Sequence, residues 1–273
     1  MYKRILLLCD LEGINLVVGE PYQALSRGTE QWEIARREAA RELNAAADAL
    51  LDAGAECVGL WDNHGGGGNI DTADLDPRIT VIRPEGPRLS FAAGRFDCLC
   101  FFGYHAMEGT LGGVLAHTMS SVSVQYYKLN GTYIGEVDMD AAIAASHGIP
   151  CRFFAGGDIA CSQARRAVEG IVTVTTKTEL SRNRAVFRDS EELLRDIRES
   201  IVRAVRTECA PRPISFPCVM EKSFKRVEDA AAYLERVRAR GIEAEYPEDP
   251  VLGRDAHTVK TTPTDIDGFI ACI

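Results

Sequence analysis

The sequence predicts an α/β fold: a mostly parallel sheet with flanking helices and an inserted hairpin, plus a smaller α+β C-terminal domain. Three observations carry this expectation. Over about the first 180 residues, short apolar runs alternate with helical patterns, the rhythm of parallel strands joined by helical crossovers. An Asn130-Gly131 dipeptide between two strand-like runs is a hairpin signal. Beyond about residue 185 the alternation gives way to a helix, a Pro-rich stretch and a mixed pattern. We therefore expect an α/β domain over residues 1–188 and a smaller α+β domain over 189–273, the latter available for oligomer contacts.

Strands are expected near Ile5–Asp10, Cys57–Asp62, Ile79–Ile82, Cys98–Gly103 and Cys151–Ala155, each an apolar run of buried-strand length. From Thr29 to Ala53, Trp32, Ile34, Ala35, Ala39, Leu43, Ala46, Ala47 and Leu50 recur at helical spacing, and Gly54 supplies a stop. The hairpin joins Ser121–Leu129 to Thr132–Ile134. A helix then opens near Gly135, carries Glu136, Asp138 and Asp140 in its first turns, and closes at His147-Gly148. Later helices are expected over Ser190–Thr207 and Val227–Arg240, separated by Ala210-Pro211-Arg212-Pro213 and a strand-like run.

Composition narrows the function classes. The 273 residues are 46% hydrophobic and 26% charged, ordinary for a globular chain with a sizeable core. A net charge of -9 disfavours nucleic acid and anionic membrane as partners, leaving small molecules and metal cations. The apolar run after Met1 is five residues long and ends in acids, so it fits neither a signal peptide nor a membrane span. Nine cysteines without a CxxC pair, five of them (Cys9, Cys57, Cys98, Cys100, Cys151) inside strand-like runs, fit reduced core residues in a cytoplasmic protein.

The chemistry-bearing residues gather at strand ends. Asp10 and Glu12 follow the first strand two apart, so extended backbone turns both carboxylates to one side, where they repel unless a cation or proton lies between them. Gly13 permits a tight turn away. His64 and His105 terminate two further strands, and open α/β sheets bind ligands outside the carboxyl ends of their strands. Oxygen and imidazole ligands together suit zinc, or less specifically manganese, cobalt or iron. His117 suits a further ligand, a proton-transfer group or a transition-state donor. Glu136, Asp138 and Asp140 all suit a helix N-terminus, and pattern does not choose among them. His147, at a helix end, and His257 read as structural. The Gly65–Gly68 run lacks the spacing of a phosphate loop and reads as a flexible loop giving room for substrate beside His64.

These residues resemble the zinc-dependent D-aminopeptidases associated with bacterial dipeptide-transport operons. The likeness is carried by Asp10-Leu11-Glu12-Gly13, Asp62-Asn63-His64, Gly103-Tyr104-His105-Ala106, His117-Thr118-Met119, Asn130 through Glu136, Ala155-Gly156-Gly157-Asp158 and Lys177 through Arg182, in one order across roughly residues 3–190. The resemblance implies two Zn2+ per chain, with Asp10 bridging, Glu12 and His64 on one ion, and His105 and Glu136 on the other. It implies a catalytic role for His117, a short-peptide substrate, and assembly into a homo-oligomeric ring, commonly a decamer. Leu8 stands where the family usually has Ser, and Ile14–Glu20 departs from its pattern; both changes bear on substrate preference rather than ligation. The expected function is hydrolysis of an N-terminal residue by metal-activated water. The alternatives are a metal-dependent amidase acting on a non-peptide or γ-glutamyl amide, and a non-catalytic metabolite-binding module.

Overall fold

The computed structural model describes residues 1–21, 25–208 and 211–273; Ala210 of the expected Pro-rich stretch lies outside the described residues. Six parallel strands form the central sheet: β1 (Arg4–Cys9), β2 (Cys57–Asp62), β3 (Ile79–Val81), β4 (Cys98–Tyr104), β7 (Cys151–Gly156) and β8 (Val172–Thr175). Their order is β3-β2-β1-β4-β7-β8. From β1 the chain builds outward through β2 and β3, then crosses back and builds the other way from β4. The β1/β4 boundary is therefore the point where the winding reverses, the place where open α/β sheets bind their ligands, at the carboxyl edge.

Strand residues alternate between two apolar layers, as the pleat requires. Ile5, Leu7 and Cys9 of β1, with Cys98, Cys100 and Phe102 of β4, face α1 (Glu30–Asp52) and α4 (Ser190–Arg206) through Ala39, Leu43, Leu50, Ile197 and Ile201. Leu6, Leu8, Leu99 and Phe101 face the opposite layer, which includes α2 (Glu136–Ser146) and α3 (Asp158–Ala167). Helix α1 begins where expected: Thr29 Oγ1 accepts from the Trp32 N–H at 3.2 Å, and Glu30 and Glu33 complement the dipole.

The hairpin β5 (Val124–Leu129) and β6 (Thr132–Ile134) turns at Asn130-Gly131, both residues left-handed. It belongs to a second, antiparallel sheet with β11 (Met220–Phe224), β12 (Glu243–Glu245) and β15 (Thr258–Thr262), ordered β12-β15-β11-β5-β6. Helices α5 (Val227–Arg238) and α6 (Ile266–Ala271) complete this α+β part. Two small ribbons, β9 (Lys177–Ser181) with β10 (Arg184–Phe187) and β13 (Glu248–Asp249) with β14 (Gly253–Arg254), lie outside both sheets. Among the described residues no helix is long and apolar enough to cross a membrane.

Two glycines let the ends of β1 and β4 interlock. The Gly13 N–H donates to the Gly103 carbonyl at 2.6 Å. A Cβ on Gly103, whose φ is +68°, would lie 2.0 Å from the Asp10 carbonyl oxygen, and one on Gly13 would lie 2.1 Å from that of Tyr104. Only glycine permits this approach, which carries Asp10 and Glu12 up to His105. Gly103→Ala should destabilise the protein by about 2–5 kcal/mol, from left-handed strain and steric overlap together. Denaturant unfolding of the variant checks this, and a loss below about 1 kcal/mol would contradict so close an approach.

The segment after Glu12 is buried and pinned from two sides. Lys177 Nζ donates to the carbonyls of Glu12, Ile14 and Val17 at 2.6, 2.8 and 2.5 Å. Burial pulls this lysine down to about 8, so near neutrality it still carries the three protons its three acceptors require. From α1, Glu42 Oε1 accepts from the Asn15 N–H at 3.0 Å, while its Oε2 has no partner among the described residues. Burial raises the Glu42 carboxyl from 4.5 to about 8, against the lowering effects of the Asn15 bond and the Lys177 charge. Between those values the folded protein keeps a proton that the unfolded chain has released, so this residue's contribution is full below about 4.5 and declines as pH rises to about 8. Glu42→Gln should remove that decline: relative to wild type, its unfolding free energy should rise by a few kcal/mol across the window. Parallel pH profiles of urea stability would refute it.

Candidate metal centre

Every sequence-expected site residue reaches the carboxyl edge of the central sheet around the β1/β4 boundary. Asp10 and Glu12 leave β1 almost fully buried, at 4% and 3% exposure. His64 follows β2, and its Nδ1 lies 3.0 Å from Asp10 Oδ1 and 3.1 Å from Glu12 Oε2. His105 follows β4, and its Nε2 lies 3.4 Å from Asp10 Oδ2 and 3.4 Å from Glu136 Oε1. The two oxygens of Asp10 thus face two different histidines.

The histidines share one arrangement. His64 Nε2 donates to the Leu25 carbonyl at 3.2 Å, His105 Nδ1 to that of Ala106 at 3.0 Å, and His117 Nδ1 to that of Leu115 at 2.9 Å. These partners assign the ring protons, so in the neutral form each imidazole turns a bare nitrogen toward carboxylates. A histidine tethered in this way is the usual form of a metal ligand. His105 Nε2 is buried and makes no well-aligned hydrogen bond among the described residues despite its two acidic neighbours. An acceptor aimed at acceptors fits a cation between them.

Helix α2 resolves the choice among its acids. Glu136 Oε1 accepts from the Met119 N–H at 2.6 Å and lies 3.8 Å from His117 Nε2. Asp138 instead caps the helix through the Gly135 N–H and pairs with Arg166. Asp140 is bound by Arg88 and Tyr104. His117 stacks on His105 with ring centroids 3.9 Å apart. Its loop is held between Leu115 and Met119, both left-handed at φ 51° and 63°, the kind of backbone strain that functional loops retain. Arg182 of the β9–β10 hairpin clamps that loop, donating to the Ala116 carbonyl and accepting from the Leu115 N–H.

The electrostatics demand positive charge at both ends of the cluster. Burial opposes charging His64, but the Glu12 charge and the bonds to Asp10 and Glu12 outweigh it and hold this imidazole up at about 11. Burial likewise opposes charging His105, and contact with Asp10 and Glu136 again prevails. Burial pushes Asp10 up, yet its contacts with His105 and His64 carry it well below the usual carboxylate range. A divalent cation meets the same demand while leaving the imidazoles neutral and able to ligate. Ligand atoms of Asp10, Glu12 and His105 lie within 4.8 Å of one another, as do those of His105, His117 and Glu136.

His147 closes α2 and His257 bonds the Phe224 carbonyl in the second sheet, both away from the cluster. The glycines after His64 form a tight turn, with the Gly67 N–H donating to the His64 carbonyl and Arg27 clamping the carbonyls of Gly67 and Gly68. This turn borders a cavity of about 900 Å³ between the ends of β2 and β3. Sequence reasoning missed Arg88, which stands in no recognisable pattern, and the roles of Tyr104 and Lys177.

Carboxylates and tethered histidines at the switch point of a parallel sheet define the class: an α/β metallohydrolase. The peptidase family M55, described as D-aminopeptidase, matches residues 3–245. The chain belongs to this D-aminopeptidase family. The D-aminopeptidase of Bacillus subtilis (strain 168) is 24% identical over 211 residues, 76% of either chain. The solved structure of the Zn-dependent D-aminopeptidase DppA from Bacillus subtilis, titled a self-compartmentalizing protease, superposes with a TM-score of 0.82 at 22% identity, covering 98% of this chain and 94% of that one.

If each half of the cluster holds a cation, Asp10→Ala should cost both rather than one, because each half would lose a carboxylate oxygen. Elemental analysis of the purified variant checks this; two cations retained per chain would show that neither half depends on Asp10.

Proposed function

We propose that this chain is an aminopeptidase of short peptides, D-residue peptides included, working with two zinc ions per chain. The observation that carries the reading is the division of Asp10, one oxygen toward His64 and the other toward His105. Asp10 would bridge the ions, Glu12 and His64 would complete one site, and His105 and Glu136 the other. Three anionic ligands offset most of four positive charges. When bound, the ions supply Lewis acidity to the scissile carbonyl and to water.

The chain's own residues do the rest. The Met119 N–H fixes the Glu136 carboxylate against His105. His117 has its Nδ1 proton committed to the Leu115 carbonyl, so Nε2 is the nitrogen left to accept a proton or, once protonated, to donate one to the leaving amine or the developing oxyanion. The preference for D-residues follows the family. A homo-oligomer, with a decameric ring as its expected form, fits the self-compartmentalizing title of the structural relative. A cytoplasmic setting fits the buried strand thiols Cys9, Cys98 and Cys100.

The test is a panel of D- and L-aminoacyl amides, each free and N-acetylated, with and without chelator. Cleavage of free-amine D-substrates, abolished by chelator and restored by zinc, is expected. Turnover of acetylated substrates would favour the amidase alternative, and indifference to chelator would refute metal dependence. In the same assay His117→Ala should lower kcat by roughly 10²–10⁴-fold with metal content intact. Loss of metal together with activity would make His117 a ligand.

A further inference from the structure

Behind the cluster, a buried polar relay joins the three ligand-bearing segments that lie C-terminal to β1. Asn63, immediately before His64, donates from Nδ2 to the Tyr104 hydroxyl at 2.8 Å. Tyr104, immediately before His105, donates that hydroxyl to Asp140 Oδ2 at 2.6 Å. Asp140 stands one helical turn after Glu136, on the same face of α2. Arg88 closes the relay with a two-point grip, Nε and Nη2 on Asp140 Oδ1 and Oδ2 at 2.5 and 2.8 Å, and its guanidinium lies 5.1 Å from the Trp61 ring centroid.

The energetics do not explain this relay as stabilisation. Asp140 is 0% exposed, and a buried carboxylate–guanidinium pair recovers its desolvation cost with little surplus over a well-packed apolar pair. What such a network does supply is a single geometry, because each donor in it is directed at one acceptor atom. Three of its members, moreover, neighbour a candidate ligand in sequence or by one helical turn.

We propose that Asn63, Tyr104, Asp140 and Arg88 are positioning residues that set the spacing of His64, His105 and Glu136, and with it the fit of the centre for two cations at once. The proposal rests on the two-cation reading above. Tyr104 carries the central bond, and its ring packs edge-on against Phe101 with centroids 4.9 Å apart, an arrangement that phenylalanine would preserve.

The experiment is a cobalt(II) titration of the metal-free protein, followed by the visible d–d spectrum and by equilibrium dialysis, on wild type and Tyr104→Phe. Wild type should bind two ions per chain. Tyr104→Phe should weaken cobalt binding roughly 10–100-fold and change the spectrum, with the circular dichroism of the metal-free protein unaltered. Wild-type affinities and spectrum in a folded Tyr104→Phe would overturn the proposal. Asn63→Ala cuts the same relay at its half-buried end without opening the core and should change affinity and spectrum in the same sense; if Tyr104→Phe cannot fold, unchanged cobalt binding in Asn63→Ala overturns the proposal by itself. Wild type saturating below two ions per chain would instead remove the two-cation reading, and this inference with it.

Discussion

Three carboxylates and three imidazoles brought together at one sheet edge can coexist only if positive charge lies among them. Asp10, Glu12 and Glu136 are each 10% exposed or less at the side chain, so water does little to screen their repulsion. The histidines intensify the demand, because each has committed one ring proton to a backbone carbonyl and offers the cluster a lone pair. Protons could meet part of that demand. Divalent cations meet it without charging the imidazoles, and they turn a costly arrangement into a Lewis-acid centre.

The fold makes the demand unavoidable. Winding reverses between β1 and β4, and the Gly13–Gly103 contact draws the two strand ends closer than any side chain would permit. Lys177 then binds the carbonyls of Glu12, Ile14 and Val17, so that the Glu12 carboxylate cannot swing out to solvent. On the far side, the left-handed residues flanking His117 and the Arg182 clamp hold a loop in a conformation that the chain would not adopt unaided. Strain of this kind persists where its surroundings over-determine it, and here those surroundings are the same elements that carry the ligands.

Much of this was legible in the sequence because it depends on short-range pattern. Apolar runs ending in Asp10, His64 and His105 announce parallel strands, and parallel strands deliver their carboxyl ends to one edge. By pattern alone Glu136 was one of three acids, and only the family resemblance singled it out, since the Met119 N–H that holds it belongs to a loop with no periodic signature. The second sheet was hidden for a different reason: the hairpin at Asn130-Gly131 is local, but its pairing of Leu129 with Met220 spans a large part of the chain. Arg88 and Asp140 were silent as partners because an ion pair between a loop and a helix leaves no spacing to read.

On the proposed reading Asp10 would hold two cations at once. Anomalous diffraction at the zinc edge from crystals grown with zinc measures this directly. Two peaks per chain, separated by about 3.5–4 Å and flanking the Asp10 carboxylate, are the predicted result. One peak, or two that do not share Asp10, would contradict it.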